Sequence, residues 1–138
     1  GERDFASLDE RARGANYQLF GYIDSFSEAL LAADLVVSRA GGSVFEIAAA
    51  GRPAILVPYP HAAADHQAGN ARWMEQAGAA TVLADEALSG ARLADEVGRL
   101  LADPPLLAQM ARASAEIARP DATGAVEAEL RAAGGERW

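Results

Sequence analysis

The stretch from Ala33 to Tyr59, ADLVVSRAGGSVFEIAAAGRPAILVPY, constrains the fold most, because it spells strand, glycine loop, helix, glycine stop and strand in succession. Leu35, Val36 and Val37 form a short apolar run without alternation, the pattern of a strand covered on both faces. Gly41 and Gly42 interrupt it; lacking a Cβ, they can take positive φ and admit a ligand close to the backbone. Ser43 is placed to cap a helix, and Glu46 completes an S-x-x-E capping box. The helix runs through Ile47 to Ala50 and stops at Gly51, and Pro53 forbids its continuation. Ala54 to Val57 read as a second buried strand. Two parallel strands joined by a helix make a βαβ unit, whose loop lies at the carboxyl end of the first strand, where open α/β sheets bind ligands. Free N–H groups and the positive dipole end of the new helix favour an anion such as phosphate.

The chain has 138 residues, 51% hydrophobic and 23% charged, which suits one soluble globular domain. No run is long enough to cross a bilayer and no signal peptide is present, so a cytoplasmic location is expected. The absence of cysteine removes disulfides and thiolate metal sites. A formal net charge of −8 argues against nucleic acid and against adhesion of this segment to an anionic membrane. The first residue is Gly1 rather than Met, and GERDF has the character of a loop leaving a strand. Four strands are read from the sequence, whereas a doubly wound domain wants about five or six. A longer protein is therefore expected, with the missing strands upstream.

In chain order, SLDERAR suggests a short helix capped by Ser7, and Arg3 reads as a solvated surface arginine. Tyr17 to Ile23 reads as a strand, after which Asp24 or Ser25 caps a helix with Phe26, Ala29, Leu30 and Ala33 on its inner face. Tyr22 and Ile23 then border the ligand crevice, where an aromatic ring and a backbone amide could hold a flat base; Tyr22 is equally readable as a boundary aromatic. After the second strand comes PYPHAAADHQAGN, with Asp65 as N-cap of a helix from His66 to Ala77 that Gly78 ends. His61, Asp65, His66, Gln67 and Asn70 give this loop the hydrogen-bonding groups that selecting a sugar by its hydroxyls requires. The spacing of His61 and His66 fits neither H-E-x-x-H nor a facial triad, so no metal is expected. Thr81 to Leu83 is a last short strand. Leu93, Val97, Leu100 and Leu101 mark an amphipathic helix, and Pro104 and Pro105 open another with Leu106, Leu107, Met110 and Ile117 inward. Residues 1–118 thus form an α/β body, and residues 119–138 a tail with a weaker helix from Ala122 to Ala133, beyond which the end frays.

A phosphate-favouring loop, a carboxylate one helical turn on and a polar second loop describe a nucleotide-sugar site better than a bare phosphate site. Glu46 could accept hydrogen bonds from both ribose hydroxyls, or serve only in the capping box; the pattern leaves the two level. No Asp-x-Asp pair is present to bridge a divalent ion to a diphosphate, so backbone amides and Arg39 would balance that charge. The phosphate motifs G-x-x-x-x-G-K-[ST] and G-x-G-x-x-G are absent, as is the hydrolase motif G-x-S-x-G.

From Gly21 to Leu83 strongly, and more loosely in the flanks, the sequence resembles the carboxyl-terminal domain of the MurG family, UDP-N-acetylglucosamine transferases that convert lipid I to lipid II in peptidoglycan synthesis. The resemblance implies a GT-B architecture of two Rossmann-like domains facing a cleft, with the sugar donor held mainly by the second and no cofactor. It places Tyr22 and Ile23 against the uracil, Gly41, Gly42 and Ser43 at the diphosphate, Glu46 on the ribose, and His66 and Gln67 on the N-acetylglucosamine. The glycine loop is one residue shorter than in many relatives, Ser43 stands where threonine is common, and His66 replaces a frequent glutamine.

The same resemblance assigns lipid I recognition and membrane docking to an amino-terminal domain absent from this chain. The catalytic base is therefore unknown, and the segment is expected to be inactive alone and to bind UDP feebly. Two other readings are the donor half of another or split GT-B glycosyltransferase, as in the two-subunit enzyme acting on dolichol-linked sugar, and a non-catalytic module that binds nucleotide sugar or a protein partner.

Overall fold

The computed structural model describes residues 5, 8, 16–62 and 65–134. In order these form α1 (Phe26–Ala32), β1 (Val36–Ser38), α2 (Ser43–Ala49), β2 (Ala54–Leu56), α3 (His66–Gln76), β3 (Ala80–Val82), a 3-10 turn (Asp85–Ala87), α4 (Gly90–Leu101), α5 (Pro104–Ile117) and α6 (Ala122–Gly134). The strands make one parallel sheet in the order β1-β2-β3, with Val37 opposite Ile55 and Ile55 opposite Thr81. Each crossover is a helix, as parallel pairing demands. The architecture is the expected α/β one.

Central β2 is buried along its length, and the two-residue period of a strand sends its side chains alternately to two cores. Ala54 and Leu56 join Val44, Ile47 and Ala48 of α2 and Ala71 and Met74 of α3. Ile55 and Val57 join Leu83, Leu100 of α4 and Met110 of α5. Gly51 and Gly78 close α2 and α3 with φ of +61° and +76°, the left-handed turn that glycine adopts without strain. Asp103 caps α5 by accepting the Leu106 N–H at 3.0 Å, and Pro104 follows at the first helical position.

Several expectations are corrected. Tyr17 to Ile23 forms no strand: the segment has no ladder partner among the described residues, and Tyr17, Phe20 and Tyr22 are exposed. Among the described residues the sheet therefore has three strands. In β1, Val37 is 45% exposed, so this edge strand is not covered on both faces. Phe26 and Leu101, expected inside, are exposed, whereas Glu96 is buried. Arg99 grips the Glu96 carboxylate with two hydrogen bonds of 2.6 and 3.2 Å. These bonds, with the charges of Arg99 and Arg92 and the Thr81 hydroxyl, hold Glu96 below the ordinary carboxylate range against the opposing effect of burial. Arg52 has a role that its sequence context does not suggest: its guanidinium donates to the carbonyls of Ala33 (3.1 Å) and Leu31 (2.8 Å), finishing α1. Ser7, Arg3 and the last four residues lie outside the described residues, and α6 has no buried residue.

Candidate functional site

The loops after β1, β2 and β3 all leave the carboxyl edge of the sheet, so residues far apart in sequence meet there. The loop after β1 begins at Arg39 and contains fully buried Ala40. Gly42, with φ −59° and ψ −27°, is the N-cap of α2 and makes no side-chain cap. The helix therefore starts one residue earlier than S-x-x-E predicts, Glu46 falls in the fourth helical position, and the capping box does not form. Gly41 and Gly42 do not use positive φ either. The space around them is open: a Cβ on Gly42 would meet nothing within 4 Å, and one on Gly41 only the Gln67 amide nitrogen at 3.9 Å.

The first helical N–H groups are partly used locally, Val44 to the Gly41 carbonyl at 3.3 Å and Phe45 to that of Gly42 at 3.2 Å. Among the described residues, the backbone N–H groups of Gly41, Gly42 and Ser43 have no acceptor, so these are the donors that remain for an anion. Ser43 Oγ lies 3.4 Å from Ser38 Oγ. Glu46 is exposed in the first turn of α2 and has no polar side-chain partner among the described residues.

What holds the glycine loop comes from the next loop and helix. Asn70 donates through Nδ2 to the carbonyls of Ala40 (3.0 Å) and Gly41 (3.4 Å). Three residues earlier on the same face of α3, Gln67 accepts the Tyr59 N–H at 2.9 Å, which leaves its amide N–H groups facing Gly41. Asp65 is the N-cap of α3 as expected, but in a left-handed conformation (φ 54°) and without a side-chain cap; its carboxylate lies 3.9 Å from Arg72. His66 is exposed at the first turn of α3. Arg39, expected as a counter-charge to phosphate, is held by other groups: Nη1 donates to the Val57 carbonyl and to Asp85 Oδ1, and the guanidinium sits 5.7 Å from the centre of the Tyr59 ring.

Of the residues singled out from sequence, Arg39, Gly41, Gly42, Ser43 and Gln67 come together at this edge. Tyr22 and Ile23 instead line an open crevice of about 510 Å³ with Phe20, Asp24, Ser25, Glu28 and Ala29, none of which belongs to the loops after β1 or β2. A groove of about 410 Å³ between Arg52, Pro53 and α5 lies at the amino edge of the sheet, away from this chemistry. Among the described residues, no three His, Asp or Glu side chains converge as metal ligands, and no helix is long and apolar enough to cross a membrane. Sequence reading missed Asp85; its signal was its place three residues past the end of β3, where the switch-point rule applies again.

Residues 1–126 match the model of the glycosyltransferase family 28 C-terminal domain. The chain is 50% identical over 110 residues to the UDP-N-acetylglucosamine--N-acetylmuramyl-(pentapeptide) pyrophosphoryl-undecaprenol N-acetylglucosamine transferase of Sorangium cellulosum, covering 79% of this chain and 27% of that protein. To the Moorella thermoacetica protein of the same name it is 42% identical over 135 residues, covering 91% and 36%. The crystal structure of Acinetobacter baumannii MurG superposes with a TM-score of 0.84 at 28% identity, over 96% of this chain and 39% of that one. The chain thus spans about a third of the length of the relatives it matches.

Proposed function

This chain belongs to the glycosyltransferase family 28 C-terminal domain family, and on that premise we propose that it is the donor-binding part of an enzyme transferring N-acetylglucosamine from UDP to a lipid-linked N-acetylmuramyl-pentapeptide. The observation that carries this reading is the open carboxyl edge of the sheet, where Gly41, Gly42 and Ser43 offer N–H groups unpaired among the described residues, with open space beside the Gln67 amide. Those amides would receive the diphosphate. Glu46, one turn along α2, would accept the ribose hydroxyls, and Asp65, His66 and Gln67 would read the sugar. Tyr22 and Ile23 would lie against the uracil, and Arg39 would border the diphosphate.

In a direct displacement at the anomeric carbon, negative charge accumulates on departing UDP. Preorganised amides stabilise that charge more in the transition state than in the ground state, which raises kcat. The base that deprotonates the acceptor hydroxyl, the acceptor site and the contact with the cytoplasmic face of the membrane would belong to the remaining two thirds of such an enzyme.

The test is a titration of the 138-residue chain with UDP and UDP-N-acetylglucosamine, followed by amide NMR. Saturable shifts centred on Gly41 to Glu46 are expected, and binding centred elsewhere would refute the assignment.

A further inference from the structure

We propose that Asp85 is a positioning residue, and that with Arg39 it forms a clasp setting the spacing of the loops that bind the donor. This inference rests on the donor-site reading above. Arg39 begins the loop after β1, and its Nη1 donates both to the Val57 carbonyl, at the end of β2, and to Asp85, in the turn after β3. Its guanidinium lies against the Tyr59 ring, and the Tyr59 N–H is in turn bonded by Gln67. One side chain thus touches all three loops at the carboxyl edge.

Placement of the Gly41 amides relative to Gln67 depends on that contact, because α2 starts without a side-chain cap and, among the described residues, only the Asn70 side chain otherwise holds the loop from outside. Asp85 gives the planar guanidinium a fixed anchor. Arg39 is 48% and Asp85 31% exposed, so their pairing adds little to global stability, and its effect falls on local geometry.

The alternative role for Arg39 is a direct counter-charge to the diphosphate, and the two roles predict opposite signs. If Arg39 serves as counter-charge, Asp85→Asn removes a competing anion and UDP binds more tightly. If the pair is a clasp, Asp85→Asn relaxes the loops and UDP binds more weakly, by roughly three- to tenfold. The experiment measures UDP affinity of the 138-residue chain by NMR titration for wild type, Asp85→Asn, Asp85→Glu and Gly42→Val. A purely structural role would lower the melting temperature, whereas the clasp predicts a shift of no more than about 5 °C. Weaker binding in Asp85→Asn with most affinity restored in Asp85→Glu supports the clasp. Unchanged or tighter binding in Asp85→Asn, with binding abolished by Gly42→Val, overturns the clasp and leaves the donor site standing. Binding that Gly42→Val does not disturb removes the donor-site reading and the clasp with it.

Discussion

Glu46 is free of the structural duty its sequence context suggested, because α2 is capped by Gly42 and the carboxylate has no polar partner among the described residues. Replacing it with glutamine should leave unfolding free energy within about 0.5 kcal/mol of wild type. UDP affinity should fall by about 1–3 kcal/mol for a lost charge-assisted contact; chemical denaturation and calorimetric titration read the two separately. Gly51 presents the reverse case. Its φ of +61° and the Ala115 Cβ 3.4 Å from any added Cβ mean that Gly51→Ala should destabilise by about 1–2 kcal/mol, seen as a lower urea midpoint with unchanged slope. Gly51 was legible because a glycine that ends an apolar helix just before Pro53 marks the ordinary left-handed stop. The capping box was misread because G-S-V-F-E admits a glycine cap one position before the serine cap, and local sequence does not choose between them. Asp85 stands 46 residues from Arg39, a pairing that only the sheet order creates.

At the scale of elements, strands and helices with a full set of partners were readable, and those completed by something else were not. β2 and the helices around it announce themselves by apolar runs and glycine stops. Residues 17–23 carry the composition of a strand, but a strand exists only with a neighbour to share its hydrogen bonds. Likewise α4 was placed from its leucines, yet its buried Glu96 escaped notice because acidic residues are rarely buried unless paired. That pair has a pH signature. A carboxyl held below its ordinary value of 4.5 contributes stability above that pH and loses it as pH falls through the lowered value. Glu96→Gln should therefore cost about 1–3 kcal/mol at pH 7 and reduce the pH dependence of stability below about pH 4.5. Thermal unfolding from pH 3 to 7 checks both.

At the scale of the whole molecule, the chain spans about a third of its relatives, and donor binding and transfer should separate. The 138-residue chain should bind UDP weakly and give no detectable transfer to a lipid I analogue, measured with radiolabelled UDP-N-acetylglucosamine; turnover by this chain alone would refute that division. The two hydrophobic cores lie beneath and above the sheet, while the carboxyl-edge loops are tied by the polar side chains of Arg39, Gln67 and Asn70. His61, Asp65 and His66 are exposed at that edge, so substitutions there carry little penalty to the hydrophobic interior. If the carboxyl-edge loops hold the donor as proposed, that separation would let preference among related sugars diversify by exchanging a few rim residues while the chassis beneath is inherited intact.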